Sequence, residues 1–573
     1  MTHPSSPRWV FPLPLLTLTL LWGVSVEVRA ADCTFRYQVT GSISNQGFGS
    51  AVATIGDVNG DGFPDFAVGA PAVQPGPTQI KPDVYVFSGR DGSFVYKQPG
   101  PGGSEFGSAI AALGDIDGDG VRDFLVGAPE SVGPGGGCIF TLSGTYGSGV
   151  YTVVNPGPPG TRFGAAVAGG PDLDGDGIAD FAVGAPGADT LAGPGSGAVF
   201  VYSGRDGHLL YRRDGQAAGD RFGSSVALFR VGTQPGPINA AALLVGAPGA
   251  DVTNAATTLA DAGAAYQFAA STGMMIRKLD GEGADDHLGE SVAGLGDVDG
   301  DGYSDFVVGA PNALIAPGQR GGHVYVFSGA SGAEIFVHHT TIQGDAYGPA
   351  AGGIADVTGD AVSDVLVGAP GDPAAPIALP GSVSVLSGGS GLELCRTNGF
   401  SGSAERFGTS VAALADLDGD GFPEWIGGAP GFSPGPLAAI GAVRTYGVAP
   451  GPPPGHPPFI EIDNRFPFTL NLKWSAVPAT CAGVDYAVYM GTYLRTGQGL
   501  TNHLADTCST GGATDITLPE PANFPPGSAL YFIVTAETPN EEGSYGVGTL
   551  GNQHAPSHRP CRVFLNTESC FIP

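Results

Sequence analysis

The 573-residue sequence predicts an all-β fold: seven four-stranded units closed into a ring by an N-terminal strand, then a small β-sandwich. Three observations predict it. A frame of aromatic-Gly followed by Gly-Ala-Pro returns seven times. Within each frame lie short apolar runs with strand alternation, joined by turns that use much of the chain's 97 glycines and 49 prolines. No long segment carries a 3.6-residue apolar period. A strand-rich unit recurring about every 60 residues suggests a propeller or another repeat array, and seven units predict seven blades.

The frames open at Phe48-Gly49, Phe106-Gly107, Phe163-Gly164, Phe222-Gly223, Leu288-Gly289, Tyr347-Gly348 and Phe407-Gly408. They close at Gly69, Gly127, Gly184, Gly246, Gly309, Gly368 and Gly428. Four strands, A to D, are expected in each; in the first they are Ser50–Ile55, Asp65–Gly69, Asp83–Phe87 and Ser93–Gln98. A tight C–D turn, Ser88-Gly89-Arg90-Asp91-Gly92, has relatives at Ser203, Ser328 and Ser387. The seventh unit stops after its C strand, Ala442–Tyr446, while an orphan strand, Thr34–Val39, precedes the first. The orphan is expected to complete the last blade and leave no open end of the array.

The expected boundaries are a removable leader over residues 1–30, the propeller over 31–449, a stiff Pro-rich linker over 450–458 and a sandwich over 459–573. The leader has Arg8 before an apolar stretch from Trp9 to Trp22, and Val28-Arg29-Ala30 suits signal peptidase. The stretch is short for a membrane span and no other segment approaches one, so a secreted or extracytoplasmic chain without a membrane span is expected. Of seven cysteines, Cys481, Cys508, Cys561 and Cys570 fall in the last hundred residues and allow three disulfide pairings. Cys33, Cys138 and Cys395 lie in the ring, and Cys138, inside a strand-like run, is expected to be a buried thiol.

The net charge of −30 excludes nucleic acid as a partner and favours cations. The acids are clustered between strands A and B in a nine-residue loop. Positions 1, 3, 5 and 9 are Asp57, Asn59, Asp61 and Asp65 in the first unit and Asp115, Asp117, Asp119 and Asp123 in the second. They are Asp172, Asp174, Asp176 and Asp180 in the third, Asp297, Asp299, Asp301 and Asp305 in the fifth, and Asp416, Asp418, Asp420 and Glu424 in the seventh. Alternate oxygen donors round a glycine-rich turn can wrap one hard cation, with the backbone carbonyl of position 7 (Phe63, Val121, Ile178, Tyr303, Phe422) as a further ligand. All-oxygen ligation favours calcium. About five calcium sites are therefore expected. The sixth loop, Asp356, Thr358, Asp360 and Asp364, is a doubtful metal site because Ala361 replaces a glycine, and the fourth unit has no acidic loop. An acidic turn that binds nothing is the plainer alternative. Close carboxylates repel by roughly 1 kcal/mol per pair in water, and repeating that five times without a cation would be odd. A site with a dissociation constant of about 0.1 mM gains roughly 1.4 kcal/mol from about 1 mM calcium.

The Phe-Gly…Gly-Ala-Pro frame with Asp-x-Asp-x-Asp-Gly-x-x-Asp inside it resembles the FG-GAP repeats of the propeller at the N-terminus of integrin α subunits, over about residues 33–449. The resemblance implies loops that bind calcium and stabilise blades but do not form the ligand site. The chain departs from those subunits in lacking a membrane span, in its single trailing domain and in carrying metal loops in early blades. The trailing domain resembles a fibronectin type III module, on Trp474, "YFIVTAE" and "EEGSYG".

Strand alternation puts the A–B and C–D connections on one face and the long B–C loops on the other: Ala72–Pro82, Gly187–Gly197, Gly249–Gly263, Asn312–Gly322, Gly371–Gly381 and Gly431–Gly441. A non-catalytic adhesion or binding module is expected, with an extracellular protein or glycan ligand on that second face. The alternative is a carbohydrate-active enzyme or lectin on a calcium-containing propeller. Gly431-Phe432-Ser433-Pro434-Gly435 matches a nucleophile elbow by letter, but Pro434 follows the serine and no helix follows.

Overall fold

The computed structural model describes residues 33–72, 80–131, 136–232, 241–253, 257–372, 379–400, 404–434 and 439–448, and the backbone of six strands between 460 and 537. The chain divides after Val448 into two units. The described residues of the first form seven four-stranded antiparallel sheets and contain no helix. Blade 1 consists of strands A to D at Ala51–Gly56, Asp65–Ala70, Asp83–Phe87 and Phe94–Pro99, each paired with the next. The A strands of successive blades neighbour one another in a circuit that returns from Ser410–Ala413 in blade 7 to Ala51–Gly56 in blade 1. The fold is an all-β, seven-bladed propeller.

Period-two alternation predicts one wet and one dry sheet face, yet the B strands are buried at every residue, as in Phe124–Ala128 and Phe181–Ala185. A blade packs against a neighbour on each side, so its middle strands have no solvent face. D strands, on the rim, alternate as exposed and half-buried positions.

The repeated frame has a backbone explanation. Each Phe-Gly glycine has φ between 88° and 104° and donates its N–H to the Gly-Ala-Pro carbonyl of its own blade, as Gly49 does to Gly69 at 3.0 Å and Gly107 to Gly127 at 3.0 Å. Its own carbonyl lies against the Gly-Ala-Pro glycine of the preceding blade: a β-carbon on Gly69 would meet Gly107 O at 1.9 Å, and one on Gly428 would meet Gly49 O at 2.1 Å. The residue before the frame glycine, aromatic in six blades and Leu288 in blade 5, is buried each time, Phe48 and Phe163 completely.

A second series crosses between blades at the rim. The hydroxyl of Tyr96 on strand D of blade 1 donates to Gly144 O in the C–D turn of blade 2, at 2.7 Å. Tyr151 does the same to Gly204 O and Tyr211 to Ala270 O, both at 2.6 Å. Arg277 serves blade 4, donating to Ala330 O at 2.7 Å. Blade 6 places Cys395 at this position, and Cys395 is disulfide-bonded to Cys33.

Cys33–Thr40 pairs antiparallel with Ala442–Val448 and is the outer strand of the sheet that holds Ser410–Ala413 and Trp425–Ala429. Two further contacts tie it there. Gln38 Oε1 accepts from Arg444 Nε at 2.8 Å, and Tyr37 donates to Gly89 O of blade 1. Arg444 itself is buried, paired with the buried Glu405 at 2.8 Å, with the rings of Phe400, Phe407 and Phe432 around its guanidinium.

Cys138 is the free, buried thiol expected. The Cys33–Cys395 bond was not expected. The cysteines 481, 508, 561 and 570 lie outside the described residues. In the second unit the backbone forms two three-stranded antiparallel sheets. One orders Ile460–Phe466, Thr469–Trp474 and Asp515–Pro519; the other orders Leu500–Thr507, Asp485–Leu494 and Ser528–Glu537.

Candidate metal centres

The acidic loop begins where strand A ends, and its first carboxylate folds it. In blade 2 Asp115 Oδ1 accepts from Gly118 N at 2.7 Å and its Oδ2 from Gly120 N at 2.8 Å. Asp119 Oδ1 accepts from Val121 N at 2.8 Å. Gly118 and Gly120 have φ of 80° and 88°, the left-handed region that this curl requires. Asp57, Asp172, Asp297 and Asp416 make the same pair of bonds in their own loops.

Position 9 does different work. It begins strand B or stands immediately before it, and is fully buried in Asp65, Asp123, Asp180, Asp305 and Asp364. One oxygen accepts from the N–H of position 2: Val58 at 2.9 Å, Ile116 at 2.7 Å, Leu173 at 2.6 Å, Val298 at 2.7 Å and Val357 at 2.7 Å. The other accepts from the glycine N–H of the C–D turn: Gly89 at 3.1 Å, Gly144 at 3.0 Å, Gly204 at 3.0 Å, Gly329 at 2.8 Å and Gly388 at 2.9 Å. These bonds put the acidic loops and the C–D turns on one face. Position 9 was expected only as a ligand; it is also the clasp between two loops.

Burial is the chief cause that pushes Asp65, Asp180 and Asp364 up to about 6, and it raises Asp123 and Asp305 as well. Backbone N–H groups oppose the shift without cancelling it. A buried carboxylate under that strain is stabilised by a cation beside it.

The structure brings together carboxylate oxygens of positions 1, 3 and 9 in three loops, all within 4.8 Å of one another: Asp115, Asp117 and Asp123; Asp172, Asp174 and Asp180; Asp297, Asp299 and Asp305. In blade 7 the group within that limit is Asp416, Asp418 and Asp420. In these three-acid loops of blades 2, 3 and 5 the donor set, oxygen only and partly buried, fits a hard divalent cation. In blade 1 position 3 is Asn59, whose Oδ1 accepts from Asp61 N at 2.8 Å while its amide donates to Asp61 and Asp65. Position 5 is drawn toward the C–D turn: Ser88 donates to Asp61 at 2.9 Å, Thr145 to Asp119 at 2.5 Å, and Arg205 Nε to Asp176 at 2.8 Å. For position 7 the recorded bond is from its N–H, as in Phe63, Ile178, Tyr303 and Phe422, to the position-5 carboxylate.

The sixth loop keeps the same fold. Asp356 accepts from Gly359 N and Ala361 N, both at 2.6 Å, and Ala361 adopts φ of 67°. With Thr358 at position 3 it supplies fewer charges than its neighbours. The fourth-unit segment 233–240 lies outside the described residues.

On the other face, the Gly249–Gly263 loop contains a two-stranded ribbon, Val252–Thr253 with Thr258–Leu259, and the Asn312–Gly322 loop another, Leu314–Ala316 with Gln319–Arg320. The Gly187–Gly197 loop is closed by a bridge between Thr190 and Gly193. Parts of the other three loops lie outside the described residues. Ser433 is exposed and donates to Gly431 O at 3.3 Å, a local turn bond. No helix among the described residues is long and apolar enough to cross a membrane.

The fold and its loops define a seven-bladed β-propeller, and part of it is similar to the FG-GAP repeat. Five segments match that repeat, 48–80, 106–151, 163–202, 288–327 and 407–446, which are the units with complete acidic loops. The chain is similar to Integrin alpha-PS5 of Drosophila melanogaster, 35% identical over 150 residues, covering 24% of this chain and 14% of the relative. It is 32% identical to Integrin alpha-5 of Xenopus laevis over 203 residues, 32% of this chain and 18% of the relative. With Integrin alpha-3 of Mus musculus it shares 44% identity over 87 residues, 14% of this chain and 8% of the relative. The match thus spans less than a fifth of each of these relatives.

Proposed function

We propose that the chain is a secreted, calcium-stabilised propeller that acts as a non-catalytic adhesion or binding module. The observation that carries this is the division of labour between its faces. On one face of blades 2, 3 and 5 buried position-9, half-buried position-1 and exposed position-3 carboxylates converge, and the C–D turn locks over them. Calcium there neutralises the loops of blades 1, 2, 3 and 5, with the carbonyls of Phe63, Val121, Ile178 and Tyr303 completing each set. Ligand recognition falls to the B–C loops of the opposite face, which rest on buried strands and do not share the metal chemistry. The likeness to integrin α subunits and the net charge of −30 both favour this reading over nucleic-acid binding.

On the same reading, Cys33–Thr40 is the strand that closes the ring, residues 1–30 are a cleaved leader, and the second unit is a fibronectin type III-like sandwich. The test of the whole is loop exchange. Binding of an extracellular protein or glycan panel is measured for the chain and for variants with the Asn312–Gly322 and Gly249–Gly263 loops replaced. Binding should fall while calcium-dependent melting is unchanged; retention of all binding after every loop is exchanged would refute the assignment of that face.

A further inference from the structure

Blade 7 is built differently from its neighbours at one point. Its D strand comes from the other end of the propeller, so no C–D turn joins it to strand C, and among the described residues no glycine N–H is bonded to position 9. Arg36 of Cys33–Thr40 stands there instead. Its guanidinium pairs with Glu424, lies 2.5 Å from Asp418 Oδ2 and 3.8 Å from Asp420 Oδ2, and its side chain is only 20% exposed. The other oxygen of Glu424 keeps the usual bond, accepting from Leu417 N at 2.6 Å.

Two sequence changes coincide with this. Arg36 occupies the irregular position of strand D, where the register to strand C shifts. The equivalent residue is Val95, Val150, Leu210, Ile276, Ile335 and Leu394 in the other six blades, aliphatic every time. Position 9 is aspartate in the five other acidic loops and glutamate only here, and the extra methylene gives Glu424 the reach to meet a guanidinium. Arg205 also touches an acidic loop, but it is 58% exposed and engages only Asp176, leaving Asp172, Asp174 and Asp180 grouped.

Resting on the reading that the other loops take calcium, we infer that the seventh does not: Arg36 is its cation, tethered to the strand that pairs with Ala442–Val448. The seventh donor set does not fit a free dication, because a full positive charge already pairs with Asp418 and Glu424 and would repel an ion held by Asp416, Asp418 and Asp420. The same contact joins the N-terminal strand to a loop more than 380 residues later.

The test is ion counting by native mass spectrometry on the full chain, stripped with chelator and returned to calcium. Arg36→Met should bind one more ion than the unmodified chain, and Asp416→Asn in the same chain should remove it. Arg36→Lys, which keeps the charge, should gain none. Asp416→Asn alone should leave the count unchanged; a loss of one ion shows that the loop already holds metal and overturns the inference, whether or not the Arg36 variants fold. Equal counts for Arg36→Met and the unmodified chain overturn it too. If no variant binds any ion, the calcium reading itself has failed. Arg36 is then judged by melting in chelator, where Arg36→Met should lower the midpoint by about 3 °C; an unchanged midpoint refutes its role as the loop's cation.

Discussion

A β-carbon on Gly127 would stand 2.0 Å from the carbonyl oxygen of Gly164 in the next blade. That backbone neighbour is held to its own blade by the bond from Gly164 N to Gly184 O at 2.9 Å and cannot retreat without moving it. Gly127→Ala should therefore destabilise the propeller by about 2–3 kcal/mol. Gly118→Ala, in the acidic loop, meets nothing within 4 Å and incurs only its left-handed backbone, about 1 kcal/mol. Urea midpoints at fixed calcium separate the two; equal shifts would mean that inter-blade contact is not what the frame glycine protects.

The disulfide between Cys33 and Cys395 links the outer strands of blades 7 and 6, where blades 1 to 3 use a tyrosine hydroxyl. It closes a loop of 362 residues. Cys395→Ser should cost about 2–5 kcal/mol and lower the propeller's melting temperature, and reductant should have no further effect on the propeller transition of that variant. A Cys395→Ser chain that melts with the unmodified one would show that the hydrogen-bonded strand pair alone holds the N-terminus.

Asp117 and Asp123 sit in one loop but should fail differently. Asp123→Asn keeps an acceptor for only one of the N–H groups of Ile116 and Gly144, turns a donor toward the other, and should destabilise by about 2 kcal/mol even in chelator. Asp117 is exposed and outside that clasp. Asp117→Asn should leave the chelated protein unchanged or slightly stabilised and remove roughly 1 kcal/mol of the calcium effect. Calorimetric scans with and without calcium give all four values.

Proton linkage gives a signed prediction for the metal-free protein. Asp65, Asp180 and Asp364 hold their protons to about pH 6 and Glu424 to about 7, above their model-peptide values of 3.8 and 4.5. The native state therefore binds more protons than the unfolded chain between pH 4 and 7. Stability in chelator should fall as pH rises through that window. Saturating calcium competes with the protons of Asp65 and Asp180, which lie in loops read as calcium sites, so its stabilising increment should grow over the same range. A calcium increment that is flat from pH 5 to 8 would mean that these carboxylates do not meet the ion.

Ala361 has φ of 67° where the other acidic loops have glycine. Ala361→Gly should relieve that strain and stabilise by about 1 kcal/mol, measured as an upward shift in the urea midpoint. A downward shift would mean that the entropy of the added glycine outweighs it.

Much of the ring was legible because its signals are local. The frame glycines mark a contact that only glycine tolerates, and the aspartate spacing fixes the loop before any packing occurs. The position-9 clasp was missed because its second partner, the C–D turn, lies more than 20 residues on. A related feature is the residue just before each frame, which takes positive φ in all seven units, from 51° in Ala346 to 75° in Gly47. Glu105, Arg162, Arg221, His287 and Arg406 give no compositional hint of that. Arg36 could have been found from sequence by aligning the orphan strand with the D strands, where one arginine stands against six aliphatics. The Cys33–Cys395 bond follows from topology alone, since nothing near either cysteine announces the other.

Cys33 faces Val448 in its sheet, so Cys33–Thr40 must wait for nearly the whole of this unit to leave the ribosome before it finds its place. Six blades can assemble on the emerging chain while that strand stays unpaired. The pairing of Cys33–Thr40 with Ala442–Val448 is thus a contact that synthesis leaves until the end of this unit.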